Sequence, residues 1–254
     1  MKVIILCGGL GTRISEETQM KPKPMVEIGG LPILWHVMKI YERYDFRDFV
    51  IALGYKGGAI KDFFLNYASR MNDLNINLRA STTKYISNTT EDWNVSLFDT
   101  GQDTLTGGRL LRLKDSINST FMLTYGDGVC DVNIEELVKF HKSHDKIATV
   151  TAVRPTARFG GMKIENQEVT QFQEKPQAGE GWINGGFFVF EPEIFNYLEN
   201  DKTILERDPL ERLSQESQLM AFQHSGFWQC MDTLRDKNFL EKIYASKQIP
   251  WLKS

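Results

Sequence analysis

Three cationic side chains, Arg13, Lys21 and Lys23, follow closely on a glycine loop, Gly8-Gly9-Leu10-Gly11-Thr12, and two aspartates, Asp127 and Asp232, stand far downstream. Glycines permit positive φ and let backbone N–H groups approach a ligand with no side chain between, which suits phosphate oxygens or the edge of a base. Proline fixes φ and biases its predecessor to extended backbone, so Lys21-Pro22-Lys23-Pro24 presents its lysines from a stiff strip. That is a clamp for several phosphates. The same residues also read as a tight turn leaving a strand and a solvated basic loop. Two common phosphate motifs are excluded: there is no Gly-Lys dipeptide for a Walker A loop, and Ile14 stands where a dinucleotide fingerprint needs a third small residue. Asp127, inside Gly126-Asp127-Gly128, follows an apolar run, and Asp232 precedes a helical pattern. Taken singly they read as a turn residue and a residue near an N-cap. Covalent catalysis has no support, because there is no Gly-x-Ser-x-Gly elbow and Cys7, Cys130 and Cys230 lie in apolar or turn contexts.

The elements that must position these residues are legible in the hydrophobic pattern. Val3–Cys7, Phe49–Leu53, Phe121–Tyr125 and Ile147–Val153 are short apolar runs that read as buried strands. Between the first two, Leu34, Val37, Met38, Tyr41 and Tyr44 recur at helical spacing behind Pro32, and Ile60, Phe63, Phe64 and Tyr67 make a second apolar face after Phe49–Leu53. Asn133 and Glu136 resemble a capping box ahead of Leu137, Val138 and Phe140. Strand and helix in alternation predict an α/β fold with a Rossmann-like, mostly parallel sheet covered on both faces. In the second half, 161–165, 168–173 and 183–190 are strand-like with short connections, which suggests hairpins or a mixed sheet edge. Helix starts follow at Asp208-Pro209 and at Thr233. A parallel sheet binds its ligand outside the carboxyl ends of its strands, so the residues just after Cys7, Leu53, Tyr125 and Val153 are candidates before any motif is considered.

Composition narrows the class. The 254 residues are 41% hydrophobic and 25% charged, and they show no linker, low-complexity stretch or fixed repeat, so one domain over 1–254 is expected. With a net charge of −3 the chain lacks the basic character of a generic nucleic-acid or anionic-membrane binder. An anionic ligand must then be met by a local cation cluster or a metal. No histidine or cysteine set completes a zinc pattern, and three cysteines without Cys-x-x-Cys spacing read as reduced thiols. The apolar start before the glycines is too short for a signal peptide and no run approaches a membrane span, so a cytoplasmic location is expected.

Gly-Gly-x-Gly-Thr-Arg followed by Lys-Pro-Lys-Pro-Met resembles the signature of the sugar-nucleotide pyrophosphorylases, nucleotidyltransferases that join a sugar 1-phosphate to a nucleoside triphosphate. The resemblance extends through Gly54-Tyr55-Lys56-Gly57, Thr106-Gly107-Gly108-Arg109, Gly126-Asp127-Gly128, Glu174-Lys175-Pro176, Asn184-Gly185-Gly186 and Gly226-Phe227-Trp228 to Asp232-Thr233. It is strongest for the cytidylyl-transferring branch, which uses CTP and glucose 1-phosphate. A uridylyl- or thymidylyltransferase of the same family is the near alternative, and a catalytically silent nucleotide-binding subunit the distant one.

The resemblance implies a glycosyltransferase-A-like nucleotidyltransferase fold and residue roles. Arg13 would stabilise charge on the triphosphate and departing pyrophosphate, and Lys23 would draw the α-phosphate and sugar phosphate together. Asp127 and Asp232 would hold Mg²⁺. A divalent cation is reasonable, since unit like charges about 4 Å apart repel by about 4 kcal/mol at an effective dielectric of 20 and two polyanions must meet. Leu6, Cys7, Gly8, Gly9, Leu10, Gly11, Thr12 and Gly126 would surround the nucleotide, with Thr104 and Arg109 contributing from a loop that can reach a neighbouring subunit. Lys175 would meet the sugar phosphate, and Glu174, Asn184 and Gly185 the sugar. A homo-oligomer, with a hexamer favoured, and a bacterial context in dideoxy-sugar synthesis for surface polysaccharide (O-antigen) are also implied.

Overall fold

The computed structural model describes residues 1–9, 21–87, 90–154, 161–165, 168–173 and 181–253. Its strands, in chain order, are β1 (Val3–Cys7), β2 (Glu27–Ile28), β3 (Leu31–Pro32), β4 (Asp48–Leu53), β5 (Leu74–Asn77), β6 (Thr82–Tyr85), β7 (Asn94–Asp99), β8 (Phe121–Tyr125), β9 (Gly128–Cys130), β10 (Ala148–Val153), β11 (Gly161–Glu165), β12 (Glu168–Gln173), β13 (Ile183–Asn184), β14 (Phe188–Phe190), β15 (Leu219–His224) and β16 (Trp228–Cys230). The helices are α1 (Ile33–Glu42), α2 (Gly57–Leu65), α3 (Tyr67–Met71), α4 (Thr106–Leu111), α5 (Ile134–Lys142), α6 (Asp208–Gln215) and α7 (Leu234–Ala245).

The main sheet runs β7-β4-β1-β8-β14-β10-β15, with β13 beside β14 on the same edge of β10. β8, β1, β4 and β7 are parallel to one another, and β14 is antiparallel to both β8 and β10. This is the mostly parallel α/β sheet that the strand–helix alternation implies. All five residues of β1 are buried because their side chains alternate between two covered faces. Val3, Ile5 and Cys7 join a core with α1, α2, α5 and α7, while Ile4 and Leu6 join one with α4 and α6. The chain moves outward from β1 through β4 to β7, then returns to the opposite side of β1 with β8. The strand order therefore reverses beside β1, and the crevice for a ligand opens past the carboxyl ends of β1 and β8.

Local signals set most element ends. Asn133 caps α5 by accepting from the Glu136 amide at 3.0 Å, and Thr233 and Asp236 form a reciprocal capping box at the start of α7. Tyr44 lies beyond α1, and the second apolar face is divided between α2 and α3. The strand expected over 183–190 is interrupted between β13 and β14. Gly186 and Phe187 both take positive φ (76° and 49°), and the chain leaves the ladder there. The segment around Arg109, without a sequence signal for regular structure, forms the short helix α4. The edge strand β15, parallel to β10 over six residue pairs, was also outside the sequence reading. No helix among the described residues is long and apolar enough to cross a membrane.

Candidate functional site

The two aspartates are brought together by the pairing of β9 with β16. Asp127 stands in the turn between β8 and β9, and Asp232 lies just beyond β16. The antiparallel register sets Cys230 opposite Gly128, and the Met231 amide donates to the Asp127 carbonyl at 2.8 Å. Asp232 is fixed from the other side, because its amide donates to the Asp236 carboxylate of the α7 capping box at 3.1 Å. Lys23 approaches both from the short turn Lys23–Met25 that Pro22 and Pro24 stiffen. Its Nζ donates to Asp127 Oδ2 at 2.6 Å and to Asp232 Oδ1 at 2.5 Å. Burial alone would lower the Lys23 pKa, but the two carboxylates outweigh it and hold the ammonium raised. Lys21, by contrast, pairs at 2.8 Å with Glu27 on the surface.

Two cavities meet at this cluster. The larger, about 670 Å³, is lined by Leu6, Cys7, Gly8, Gly9, Thr104 and Gly126 among others. The smaller, about 330 Å³, is lined by Asn184, Gly185, Glu206 and Trp228 among others. Tyr125, Asp127 and Asp232 line both. A long anionic ligand in the larger and a compact polar one in the smaller would therefore touch at the carboxylate–lysine junction.

The glycines have different reasons to be glycine. A Cβ on Gly126 would lie 2.7 Å from Cys7 Sγ and 3.1 Å from Pro24 Cγ, so its absence lets the three walls of the larger cavity close up. At Gly8 a Cβ would fall 2.0 Å from Arg109 Cζ, and at Gly54 it would lie 2.4 Å from Arg109 Nη1, whereas Gly9 faces open space. At Gly185 it would meet Val153 Cγ1 at 2.6 Å and Thr151 O at 3.0 Å. Packing against β10 thus demands glycine at 185 independently of any ligand, and its carbonyl accepts from the Trp228 indole at 2.9 Å.

Arg109 lines the larger cavity, but its guanidinium is turned onto the protein itself. Nη1 donates to Leu53 O, Thr100 Oγ1 and Gly101 O at 3.0, 2.9 and 2.6 Å, and Nη2 to Gly8 O and Gln102 O at 2.9 and 3.0 Å. The side chain is a buried latch joining the ends of β1, β4 and β7. The resemblance gives Arg109 a nucleotide contact, and nothing in the sequence marks the structural role. Glu206 lies in no motif, and Tyr125, although it opens the motif Tyr125-Gly126-Asp127-Gly128, has no role for its side chain in the sequence reading.

Leu10, Gly11, Thr12, Arg13, Glu174 and Lys175 lie outside the described residues. Thr104 is buried in the wall of the larger cavity, and Asn184 faces the smaller one, where its Nδ2 donates to the Tyr125 hydroxyl at 3.3 Å. Burial pushes all three cysteine thiols up, Cys230 to about 12 with help from Asp232 and Asp127. None is a thiolate at neutral pH, in keeping with a site that uses no protein nucleophile. The Asp127–Asp232 pair offers hard oxygen donors that converge on one cation already, the Lys23 ammonium, and it fits a small divalent ion of the Mg²⁺ type, which takes one or two carboxylates.

The chain matches the nucleotidyl transferase family over residues 2–236. It is 49% identical over 253 residues to the glucose-1-phosphate cytidylyltransferase of Salmonella typhi, covering 99% of this chain and 98% of that protein. Over 253 residues it is 42% identical to the probable glucose-1-phosphate cytidylyltransferase of Bacillus subtilis, covering 99% of each. Among solved structures, HddC from Yersinia pseudotuberculosis superimposes with a TM-score of 0.71 at 23% identity, over 96% of this chain and 99% of that one. UDP-glucose pyrophosphorylase complexed with UDP-glucose gives 0.69 at 18% identity, over 97% and 98%. These two likenesses are ones of fold.

Proposed function

The chain belongs to the nucleotidyl transferase family, and from that premise we propose that it transfers a cytidylyl group from CTP to α-D-glucose 1-phosphate, forming CDP-glucose and pyrophosphate. The observation that carries the reading is the meeting of two cavities of unequal size at Lys23, Asp127 and Asp232. The relatives of 49% and 42% identity, matched along their whole length, supply the base and the sugar.

The reaction needs alignment and charge compensation rather than a protein nucleophile. A sugar-phosphate oxygen, already anionic, forms a bond to the α-phosphorus. The bond from that phosphorus to the α,β-bridging oxygen breaks, and pyrophosphate leaves with the electron pair. Leu6, Cys7, Gly8, Gly9, Gly126 and Thr104 would bound the nucleotide in the larger cavity, on walls held by Arg109, while Asn184 and Gly185 would bound the sugar in the smaller. An ammonium has three donors, and Lys23 uses two of them on the carboxylates. The third, which meets no acceptor among the described residues, would serve a phosphate oxygen at the junction, where Lys23 would draw the two substrates together. Arg13 would stabilise the triphosphate and departing pyrophosphate, and Lys175 and Glu174 the sugar phosphate and sugar hydroxyls. Asp127 and Asp232 would hold Mg²⁺, which when bound offsets repulsion between the phosphate groups.

Pyrophosphate release measured with CTP, UTP, dTTP, GTP and ATP against glucose 1-phosphate tests the reading. CTP is expected to give the highest kcat/KM; if it proves the poorest donor, the base assignment fails. We also propose a cytoplasmic homo-oligomer, a hexamer, serving dideoxy-sugar and O-antigen synthesis. Support for association, though not for the number of subunits, the location or the pathway, comes from the β5–β6 hairpin and its flanks, where Leu78 and Ile86 are 86% and 65% exposed, since an isolated two-stranded hairpin is marginal in water. Light scattering of the eluted protein checks the mass; a monomer would refute it.

A further inference from the structure

Tyr125, whose side chain lies on the wall common to both cavities, does not end in solvent. Its hydroxyl donates to Glu206 Oε1 at 2.6 Å and accepts from Asn184 Nδ2. Burial and the Glu206 charge both push the phenol up, so its proton stays on oxygen and is committed to the carboxylate. Glu206 comes from an unrelated part of the chain, the loop before α6. Its other oxygen, Oε2, accepts from Thr106 Oγ1 at 2.6 Å, and that hydroxyl accepts in turn from the Leu205 amide at 3.0 Å. Among the described residues, each carboxylate oxygen therefore receives one protein donor.

A carboxylate has about four lone-pair sites and can only accept. With two of them used, Glu206 retains capacity for two further donors, and it lines the smaller cavity but not the larger. Any N–H or O–H donor can fill that capacity, and those that a sugar brings are hydroxyls. Charge-assisted hydrogen bonds from a polyol to a positioned carboxylate are among the stronger neutral-to-charged contacts, and they discriminate sharply against an analogue lacking the hydroxyl. An anionic ligand group is disfavoured at the same point by like-charge repulsion. Glu206 thus favours a hydroxyl-bearing group in the smaller cavity, whereas the Lys23 ammonium, on the wall of the larger cavity and bonded to the shared Asp127 and Asp232, stands where a phosphate group would lie.

We propose that Glu206 is a specificity-determining residue for the sugar, accepting a hydrogen bond from a hexose hydroxyl while holding Tyr125 and Asn184 as the fixed wall against which the ring is seated. This rests on the sugar 1-phosphate reading above. Its geometry follows from the Tyr125–Glu206–Thr106 chain, which ties the sugar side to the first turn of α4.

The test is steady-state kinetics of the full-length enzyme and Glu206→Gln with α-D-glucose 1-phosphate and its 2-, 3-, 4- and 6-deoxy analogues. Glutamine keeps the shape and one acceptor but loses the charge. KM for glucose 1-phosphate is expected to rise about 10- to 100-fold, as the loss of a charged hydrogen bond of about 1.5–3 kcal/mol implies, with KM for CTP changed less than twofold. One deoxy analogue, poor with the parent enzyme, should lose its disadvantage in the variant. Tyr125→Phe, which leaves the carboxylate in place, should raise the sugar KM by less and retain the deoxy discrimination. If Glu206→Gln alters both KM values equally, or leaves the deoxy pattern intact, Glu206 is only a packing residue and the inference is overturned. A parent enzyme that turns over no sugar 1-phosphate with any nucleotide would instead overturn the function proposed above, and this inference with it.

Discussion

Arg109→Lys removes a fork of donors and leaves a point charge in its place. The guanidinium gives five hydrogen bonds of 2.6–3.0 Å to acceptors on three segments, at Gly8, Leu53 and Thr100-Gly101-Gln102. Gly8 and Gly54 are bare so that this plane can lie against them. Lysine has three donors on a flexible stem and cannot span the set. The bonds act as one unit, so their individual values do not add. Breaking a buried charged network costs about 3–5 kcal/mol, and for a chain of this size that corresponds to a fall of about 6–20 °C in Tm. Because the latch fixes the Gly8 carbonyl in the wall of the larger cavity, KM for CTP should rise as well. Urea unfolding of parent and variant, read beside nucleotide kinetics, decides the matter. A variant of unchanged stability whose CTP KM alone has risen would show that Arg109 acts on the ligand and not on the fold.

Other perturbations follow from the same geometry. Asp127→Asn and Asp232→Asn should each lower kcat by about 100- to 1,000-fold while shifting Tm by only a few degrees; unchanged turnover would remove that aspartate from the site. Chelation with EDTA should abolish pyrophosphate release and added Mg²⁺ restore it, whereas activity that survives exhaustive chelation would leave the two carboxylates to Lys23 alone. His36 is fully buried against Ile28 O and the Trp251 indole, and burial lowers its pKa to about 4. Its unfolded form binds the proton first, so stability is complete above about pH 6.5 and falls between there and pH 4, by on the order of 3 kcal/mol from this residue. His36→Gln should therefore show a shallower loss of stability in urea at pH 4.5 than the parent, and parallel curves would refute the assignment. Gly185→Ala puts a methyl group into Val153 and Thr151, and a loss of about 1–3 kcal/mol in unfolding free energy is expected.

The strands β1, β4 and β8, the helices between them and the caps at Asn133 and Thr233 could be read from the chain, because apolar periodicity and capping are local properties of a dozen residues. Gly8, Gly9 and Asp127 could be placed at the carboxyl edge for a similar reason: each comes within two residues of a strand end. What local chemistry could not supply was partnership between distant segments. Asp232 reaches Asp127 only through the β9–β16 register, 104 residues separate Lys23 from its first carboxylate, and 81 separate Tyr125 from Glu206. Arg109 carried no sign in the sequence that its charge would be spent on backbone carbonyls rather than presented to a phosphate. Side-chain type and spacing determine which groups can do chemistry. Which of them face one another is decided by strand order and the glycine contacts that allow close approach, and those exist only once the sheet is assembled.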